Sequence, residues 1–259
     1  MAFRASNLTL NENTFRDVAH PLAASERMTL DGVTTKTAIL LFLCLGAGVA
    51  AYAYVASLAT TLASGKAGPI STTALGVLLG SILLGFGLGI LLRFVPTAAP
   101  WAAPIYALVE GIVLGTISQL YELQYHGLVS IALTSTIAVA VSMLALYRFR
   151  IVRVTPGLRA GIMVATGGIA LVYLATLVLG LFGVHMPMIH DAGPWGIAFS
   201  LVVVGIAASN LLLDFDMIEQ GVAQGAPKFM EWYSGFALLA TLVWLYLEIL
   251  RLLAKLRRR

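Results

Sequence analysis

Charged residues and cysteine are both scarce in this sequence. Asp, Glu, Lys and Arg together make up 11% of the 259 residues, whereas soluble domains contain about 25%. A soluble fold needs charge to keep its surface wetted, and a disordered chain needs even more charge and few apolar residues. Both classes are therefore excluded. The single cysteine, Cys44, lies in an apolar run, which also excludes an intramolecular disulfide and a cysteine-rich metal site.

Signatures of catalysis and of nucleic-acid binding are lacking too. The chain contains neither the HExxH helix of zinc proteases nor the GxSxG turn of serine hydrolases. Between Pro227 and Arg251 the only lysine is Lys228, so the mid-helix lysine of a retinal protein is absent. Basic residues lie in loops between apolar runs, a distribution that fits membrane orientation better than nucleic-acid binding. We therefore expect no enzyme activity, no cofactor and no nucleic-acid partner.

What the sequence does have is a high apolar content. Hydrophobic residues make up 59% of the chain, and the mean hydropathy is +0.93. A helix of about 20 apolar residues crosses a bilayer. Turn residues separate seven such segments, near 37–60, 70–94, 99–121, 127–147, 159–183, 194–220 and 229–256. We predict an all-α membrane protein, a bundle of seven transmembrane helices, with a polar arm over 1–36, a membrane domain over 37–256 and a basic tail over 257–259.

The distribution of Lys and Arg predicts how the helices are oriented. With the amino terminus in the cytoplasm, ten of the 16 Lys and Arg residues lie inside and six outside. This orientation is favoured because cytoplasmic loops are rich in Lys and Arg. The basic carboxyl-terminal cluster then lies outside, and a re-entrant last segment would return it inside, so that side stays open. The start does not resemble a signal peptide. We expect a multi-pass protein of a prokaryotic plasma membrane with a cytoplasmic amino terminus.

Small residues recur at a spacing of four in the second and third segments. This spacing places them on one helix face and lets neighbouring backbones approach closely. We interpret them as helix-packing residues, and they are Gly76, Gly80, Gly85, Gly87, Gly89, Gly111 and Gly115, with Gly168, Gly180 and Gly205 interpreted in the same way.

Carboxyl groups occur inside three of the apolar segments. A charge in mid-membrane costs about 2.5–3.5 kcal/mol on insertion scales, so each such acid is a functional candidate. Asp214 shares a helix face with Asn210, four residues earlier, which can donate a hydrogen bond to it. Asp216 lies on the other side, near the segment end, where headgroups or loops can solvate it. Asp214 is therefore the better candidate for a buried acid.

The other two acids have structural explanations beside the functional one. Glu248 and Arg251 are three residues apart, so a local ion pair with the arginine extending outward would account for both. Glu110 lies in the middle of the third segment. A protonated carboxyl that is hydrogen-bonded to a neighbouring helix would account for it.

Four stretches of the chain stand out: 28–37 (MTLDGVTTKT), 106–115 (YALVEGIVLG), 211–216 (LLLDFD) and 244–253 (WLYLEILRLL). They resemble the Bax inhibitor-1 (transmembrane Bax inhibitor motif) family, in particular its bacterial branch. The first resembles the stretch that leads into the family's first helix, and the second resembles its third helix. The third resembles the aspartate motif of the sixth helix, and the fourth resembles the seventh helix. The likeness extends over nearly the whole membrane domain.

The resemblance implies a bundle whose last helix is central, and a pH-sensitive calcium leak. In the family, an acid pair on helices six and seven is thought to act as proton sensor and ion gate. Carried over to this chain, the pair falls on Asp214 and Glu248, which would also hold Ca²⁺ transiently. The second acid is glutamate where many members have aspartate. It also follows the first by 34 residues, so an unbroken hairpin would separate the two in depth. Glu231 is therefore a rival partner for Asp214.

Two functions follow as expectations. The first is a proton-regulated calcium leak channel or exchanger, whose partners are the lipid bilayer, Ca²⁺ and protons. Two carboxyls that share a site of low dielectric cannot both ionise cheaply, so one keeps a proton that joins the helices. Its loss would expose oxygen ligands suited to Ca²⁺. The second is a non-conducting regulator whose arm binds another membrane protein, such as a quality-control protease. The buried acids favour the first.

Overall fold

A computed structural model of the protein describes residues 26–63, 70–183 and 193–258. These residues form seven long helices, each apolar and long enough to cross a membrane. The prediction of seven spans is therefore confirmed, with most helix ends within three residues of those expected. The helices are α1 (Leu30–Ala63), α2 (Ile70–Phe94), α3 (Ala99–Gln124), α4 (Leu128–Arg148), α5 (Pro156–Leu181), α6 (Pro194–Ala223) and α7 (Met230–Arg257).

Helix α1 begins seven residues before the predicted start of its span at residue 37. Thr29 precedes its first turn, and the Thr29 hydroxyl accepts a hydrogen bond from the backbone N–H of Gly32. This bond satisfies one of the donors that a helix start leaves unpaired. Asp31 in the first turn is favoured by the positive end of the helix dipole. The end of the predicted polar arm is thus helical, and residues 1–25 of the arm lie outside the described residues.

The chain reverses direction at residues suited to ending or starting a helix. Thr155 caps α5, because its hydroxyl accepts from the N–H of Leu158 while Pro156 occupies the first turn. After α6, Gly225 has a φ of +68°, a left-handed conformation that favours glycine. Because six residues separate α6 from α7, the two helices form a tight antiparallel hairpin.

The described helices divide between two compact units. The α1–α3 unit contains those three helices together with residues 218–239, which comprise the end of α6, the α6–α7 turn and the start of α7. The α4–α6 unit contains α4, α5, residues 194–217 of α6 and the rest of α7 from residue 240. Helix α7 therefore contributes a different part of its length to each unit. The central position that the family resemblance implies for α7 stays a prediction.

Close packing of α1 on α3 is the main helix contact inside the α1–α3 unit. A Cβ atom added at Gly111 would collide with the backbone carbonyl of Cys44, and one added at Gly115 would collide with the carbonyl of Gly48. The two backbones meet here with no side chain between them, as the four-residue spacing predicts. The packing interpretation of Gly111 and Gly115 is confirmed.

Most of the other glycines do not have this role. Added Cβ atoms at Gly76, Gly80 and Gly87 of α2 would meet nothing within 4 Å, although Gly85 faces the carboxyl of Glu110. The packing interpretation of those three was wrong, and it was equally wrong for Gly168, Gly180 and Gly205. Spacing alone does not reveal which helix face has a neighbour.

Candidate functional site

Two contacts define the register of the α6–α7 hairpin. The hydroxyl of Thr241 on α7 donates to Asp214 on α6, and the ammonium of Lys255 on α7 donates to Ser200 on α6. Fourteen residues back along α6 thus correspond to fourteen residues forward along α7, as in two regular antiparallel helices. By the same register, Glu248 lies level with residue 207, seven residues or about 10 Å along the axis from Asp214.

Asp214 is completely buried. It has 0% exposure, and the Thr241 hydroxyl donates to its Oδ2 atom over 2.6 Å. The prediction that Asn210 donates to Asp214 was wrong. The amide nitrogen of Asn210 donates instead to the hydroxyl of Thr166 on α5 and to the backbone carbonyl of Ile206. Because an amide nitrogen carries two hydrogens, these two bonds use the full donor capacity of Asn210.

Glu248 is the centre of a second polar cluster, and it has 1% exposure. The guanidinium of Arg251 donates to both carboxylate oxygens over 2.9 Å, which confirms the predicted ion pair. The hydroxyl of Tyr173 on α5 and the indole N–H of Trp244 donate to the same carboxylate. The arginine is not directed only outward, because it also donates to the Tyr173 hydroxyl and lies 5.0 Å from the centre of that ring.

Asp216 forms an ion pair with Arg159, and both side chains are only 18% exposed. Headgroups or loops were expected to solvate Asp216, and its partner Arg159 was not foreseen. The signal was nevertheless present in the sequence. Arg159 lies in the first turn of α5, and Asp216 lies near the end of α6. In antiparallel neighbours, these two positions lie at the same end.

Lys255 is a buried base, although by sequence it belongs to the basic carboxyl-terminal cluster that was predicted to lie outside. It has 5% exposure, and its ammonium donates to the backbone carbonyl of Gly196 and to the hydroxyl of Ser200. Lone lysines are almost never buried without such partners. The last helix is continuous for 28 residues, which at about 1.5 Å per residue is more than enough to cross a bilayer. This continuity argues against a re-entrant last segment.

Polar side chains therefore follow one another along the α5, α6 and α7 helices of the α4–α6 unit. We call this set the polar column. The outermost contacts of the polar column on α6 are at Gly196 and Asp216. These two residues are twenty positions apart, or about 30 Å along the helix. That length matches the hydrocarbon thickness of a bilayer. Its members are Arg159, Thr166, Tyr173, Ser200, Asn210, Asp214, Asp216, Thr241, Trp244, Glu248, Arg251 and Lys255.

Glu231 lies elsewhere, in the first turn of α7 within the α1–α3 unit. Its carboxylate accepts from the backbone N–H and the hydroxyl of Thr29, and one oxygen lies 3.7 Å from the ammonium of Lys36. Glu231 is ten residues, or about 15 Å of helix, before Thr241, the residue that contacts Asp214. The carboxylate of Glu231 thus binds the start of α1, and its alternative role as the partner of Asp214 stays a prediction.

We expect Glu231→Ala to lower the free energy of unfolding by about 3 kcal/mol, since hydrogen bonds to a charged group contribute about 1.5–3 kcal/mol each. Glu231→Gln keeps an oxygen that Thr29 can bond, so its loss should be clearly smaller. Unfolding of the detergent-solubilised protein in increasing dodecyl sulfate, followed by circular dichroism, measures both. Equal stability of the alanine variant and the wild type would contradict this assignment of Glu231 to the α1–α7 junction.

Glu110 belongs to the α1–α3 unit as well. Its carboxyl is hydrogen-bonded to the hydroxyl of Tyr106, one turn earlier on the same helix, and lies against Gly85 of α2. The prediction that Glu110 is hydrogen-bonded to a neighbouring helix was therefore wrong, because its partner Tyr106 lies on the same helix. Tyr106 in turn packs edge-on against Phe236, with ring centres 4.8 Å apart. Glu110 is thus part of the packing of α2, α3 and the start of α7.

The acid pair implied by the resemblance is arranged in two separate clusters. Asp214 accepts from Thr241, whereas Glu248 accepts from Arg251, Tyr173 and Trp244. The expected separation in depth of an unbroken hairpin is confirmed by the register. Among the described residues, no group of three or more His, Cys, Asp or Glu side chains lies close enough to hold a metal ion. The roles of Asp214 and Glu248 as sensor, gate and Ca²⁺ ligands stay predictions.

Comparison with known proteins identifies one family. The family model described as "Bax inhibitor 1 like" matches residues 6–258, which is nearly the whole chain. No curated protein and no solved structure matches the sequence.

Proposed function

The chain belongs to the Bax inhibitor-1-like family and is a multi-pass membrane protein, and from this we propose that it is a proton-regulated leak channel or exchanger for Ca²⁺. The observation that carries the proposal is the polar column. Ionisable groups inside a membrane are costly and face a bundle interior or an ion path. A column about as long as the bilayer is thick is more than packing requires.

The described arrangement fits a closed state of such a path. The three acids of the column, Asp214, Asp216 and Glu248, each accept at least one hydrogen bond from a neighbouring side chain. Ca²⁺ prefers six to eight oxygen ligands, mainly carboxylates, carbonyls and water. Conduction therefore requires some of these bonds to exchange for bonds to the ion and its water. A two-state helix arrangement that protons bias would provide that exchange.

Asp214 is the residue that we assign to proton sensing. Thr241 donates to it, and Asp216 lies about half a turn further along α6 in its ion pair with Arg159 of α5. Glu248, paired with Arg251, lies about two turns away along the hairpin. A change in the charge of Asp214 alters both its bond to Thr241 and its repulsion of Glu248. Both effects act on the α6–α7 hairpin. The ionisation of one buried carboxyl would thereby control the packing of two helices.

We also propose that the amino terminus is cytoplasmic and that the protein resides in a prokaryotic plasma membrane. The distribution of bases supports this orientation. With the amino terminus in the cytoplasm, ten of the 16 Lys and Arg residues lie on the inner side and six on the outer side, and cytoplasmic loops are rich in these residues.

Flux into liposomes tests the proposed function. The purified full-length protein is reconstituted in liposomes that contain a Ca²⁺ indicator, and Ca²⁺ entry is followed over a range of pH. We expect entry above that of empty liposomes, with a rate that changes with pH. Folded protein that gives no entry above empty liposomes at any pH would overturn the proposal.

The role of Glu248 is tested by a charge-balanced pair of variants. Glu248→Gln leaves Arg251 without its anion, whereas the double variant Glu248→Gln with Arg251→Gln restores neutrality. If Glu248 contributes to permeation, flux stays altered in the double variant even where stability recovers. Recovery of both flux and stability would show that the carboxylate serves the ion pair alone. The pair of variants thus separates the two roles by the logic of a double-mutant cycle.

The second candidate function is regulation of another membrane protein through the arm. One structural feature favours it, because the end of the arm is bonded to the α6–α7 turn within the α1–α3 unit. The N–H of Met28 donates to the carbonyl of Ala226, and the N–H of Lys228 donates to the carbonyl of Glu26. A partner that binds the arm would thus act next to the start of α7. Deletion of residues 2–25 should spare Ca²⁺ flux if the protein conducts and abolish partner binding if it regulates.

A further inference from the structure

The turn between α4 and α5 carries an unusual concentration of arginine. Arg148 ends α4, and Arg150 and Arg153 follow it before Pro156 opens α5. All three side chains are exposed. The turn nevertheless has a defined backbone, because the N–H groups of Ile151 and Val152 both donate to the carbonyl of Leu146. The three charges are therefore presented on a structured segment.

The bases elsewhere in the described chain have partners in the protein. Lys36 lies beside Glu231, Arg159 beside Asp216 and Arg251 beside Glu248, while Lys255 donates to Ser200. By contrast, Arg148, Arg150 and Arg153 form no side-chain ion pair or hydrogen bond with any residue that the structure describes. Three like charges within six residues repel one another. A bound anion would relieve that repulsion, whereas a neutral surface would not.

Two large apolar side chains alternate with the arginines. Phe149 is 74% exposed and Ile151 is 69% exposed. The turn follows directly on a membrane-spanning helix, so it lies at the level where headgroups meet the acyl chains. Aromatic and aliphatic side chains are stable at that level, and arginines beside them reach the phosphates. The alternation fits a lipid surface better than a soluble anion, which offers nothing to the apolar side chains.

We propose that residues 148–153 form a binding site for the headgroups of anionic phospholipids. The three guanidinium groups bind the phosphates, to which their planar donor geometry is suited. Phe149 and Ile151 enter the boundary of the acyl chains. The proposal does not rest on ion conduction, because it concerns only the charge and exposure of this turn. It predicts a preference for anionic over zwitterionic lipid in a protein of either candidate function.

Each base near an anionic membrane surface strengthens association about fivefold, so the three arginines together should contribute roughly a hundredfold. The interaction should weaken in high salt, because exposed charges are screened. The titration of the full-length protein in detergent with short-chain phosphatidylglycerol, read by native mass spectrometry and by the shift in unfolding temperature, measures this preference. Short-chain phosphatidylcholine and inorganic phosphate are titrated in parallel.

We expect the wild type to bind phosphatidylglycerol more tightly than phosphatidylcholine, and the variant R148Q/R150Q/R153Q to lose most of that difference. R148K/R150K/R153K keeps the charge and should retain most of the preference, and R257Q/R258Q removes basic charge from another place and should leave it unchanged. If the triple glutamine variant does not fold, R150Q and R153Q alone should each reduce the preference about fivefold. The proposal would be overturned if the folded glutamine variants kept the full preference for phosphatidylglycerol. It would also be overturned if inorganic phosphate raised the unfolding temperature as much as the lipid does.

Discussion

In liposomes that contain the reconstituted protein, Asp214→Asn is expected to remove the pH dependence of Ca²⁺ flux. Asparagine has nearly the same shape as aspartate, and its amide oxygen can still accept the hydrogen bond of Thr241, so the hairpin should fold as before. What the variant loses is the ability to change charge. The equilibrium constant of a transition linked to one proton changes by at most about tenfold per pH unit. The slope of log flux against pH should therefore be no more than about one in the wild type and near zero in the variant.

Two matched variants show whether Asp214 itself is responsible. Thr241→Val removes the hydroxyl that donates to Asp214 but keeps the carboxyl, so the response should survive with its midpoint displaced. Glu231→Gln removes the charge of another buried acid, which binds the start of α1, and it should leave the response unchanged. A pH slope in Asp214→Asn equal to that of the wild type would show that the proton sensor lies elsewhere.

The second large effect is expected at the contact between α1 and α3. Gly115→Ala places a methyl group against the carbonyl of Gly48, and Gly111→Ala does the same at the carbonyl of Cys44. Neither obstacle is a flexible side chain, so the helices must separate. Overpacking costs about 1–3 kcal/mol where side chains can adjust. We expect about 3 kcal/mol or more for each variant, and little folded protein when the two are combined.

Glycines of α2 provide the matched control for this prediction. Added Cβ atoms at Gly76 and Gly80 meet nothing within 4 Å, so alanine there should raise stability by about 0.5–1 kcal/mol through helix propensity. The same substitution is thus expected to have opposite signs on two helices. Unfolding in dodecyl sulfate, together with the yield of monodisperse protein, measures both. Similar effects of Gly80→Ala and Gly115→Ala would contradict the assignment of the packed face.

Much of the fold could be predicted because a bilayer imposes strict rules on sequence. The start of α1 is the exception that shows the limit. Hydropathy places its span from residue 37, but the helix begins at Leu30 because the Thr29 hydroxyl bonds the N–H of Gly32 and Glu231 holds Thr29 from another helix. The cap itself is local, but the contact that holds Thr29 in place comes from a residue some 200 positions away and cannot be found from local pattern.

The candidate site divides in the same way. Asp214 and Glu248 were found from the cost of burying charge, and the Glu248–Arg251 pair was found from helical spacing. The partner of Asn210 was not, because helical spacing suggests Asp214, whereas only the packing of α5 on α6 brings Thr166 to Asn210. Lys255 was counted with the basic carboxyl-terminal cluster, since the sequence does not show that Gly196 and Ser200 accept hydrogen bonds from its ammonium group.

The class of protein, the number of spans and the acids that lie inside the membrane could thus be predicted from the sequence. These properties follow from the thickness of the bilayer and the cost of charge within it, which act on every segment independently. The folded arrangement was needed to establish which glycines meet a neighbour, which polar groups pair and how far apart Asp214 and Glu248 lie. Those properties depend on the rotation and register of one helix against another, and in this chain they are set by contacts between residues far apart in sequence.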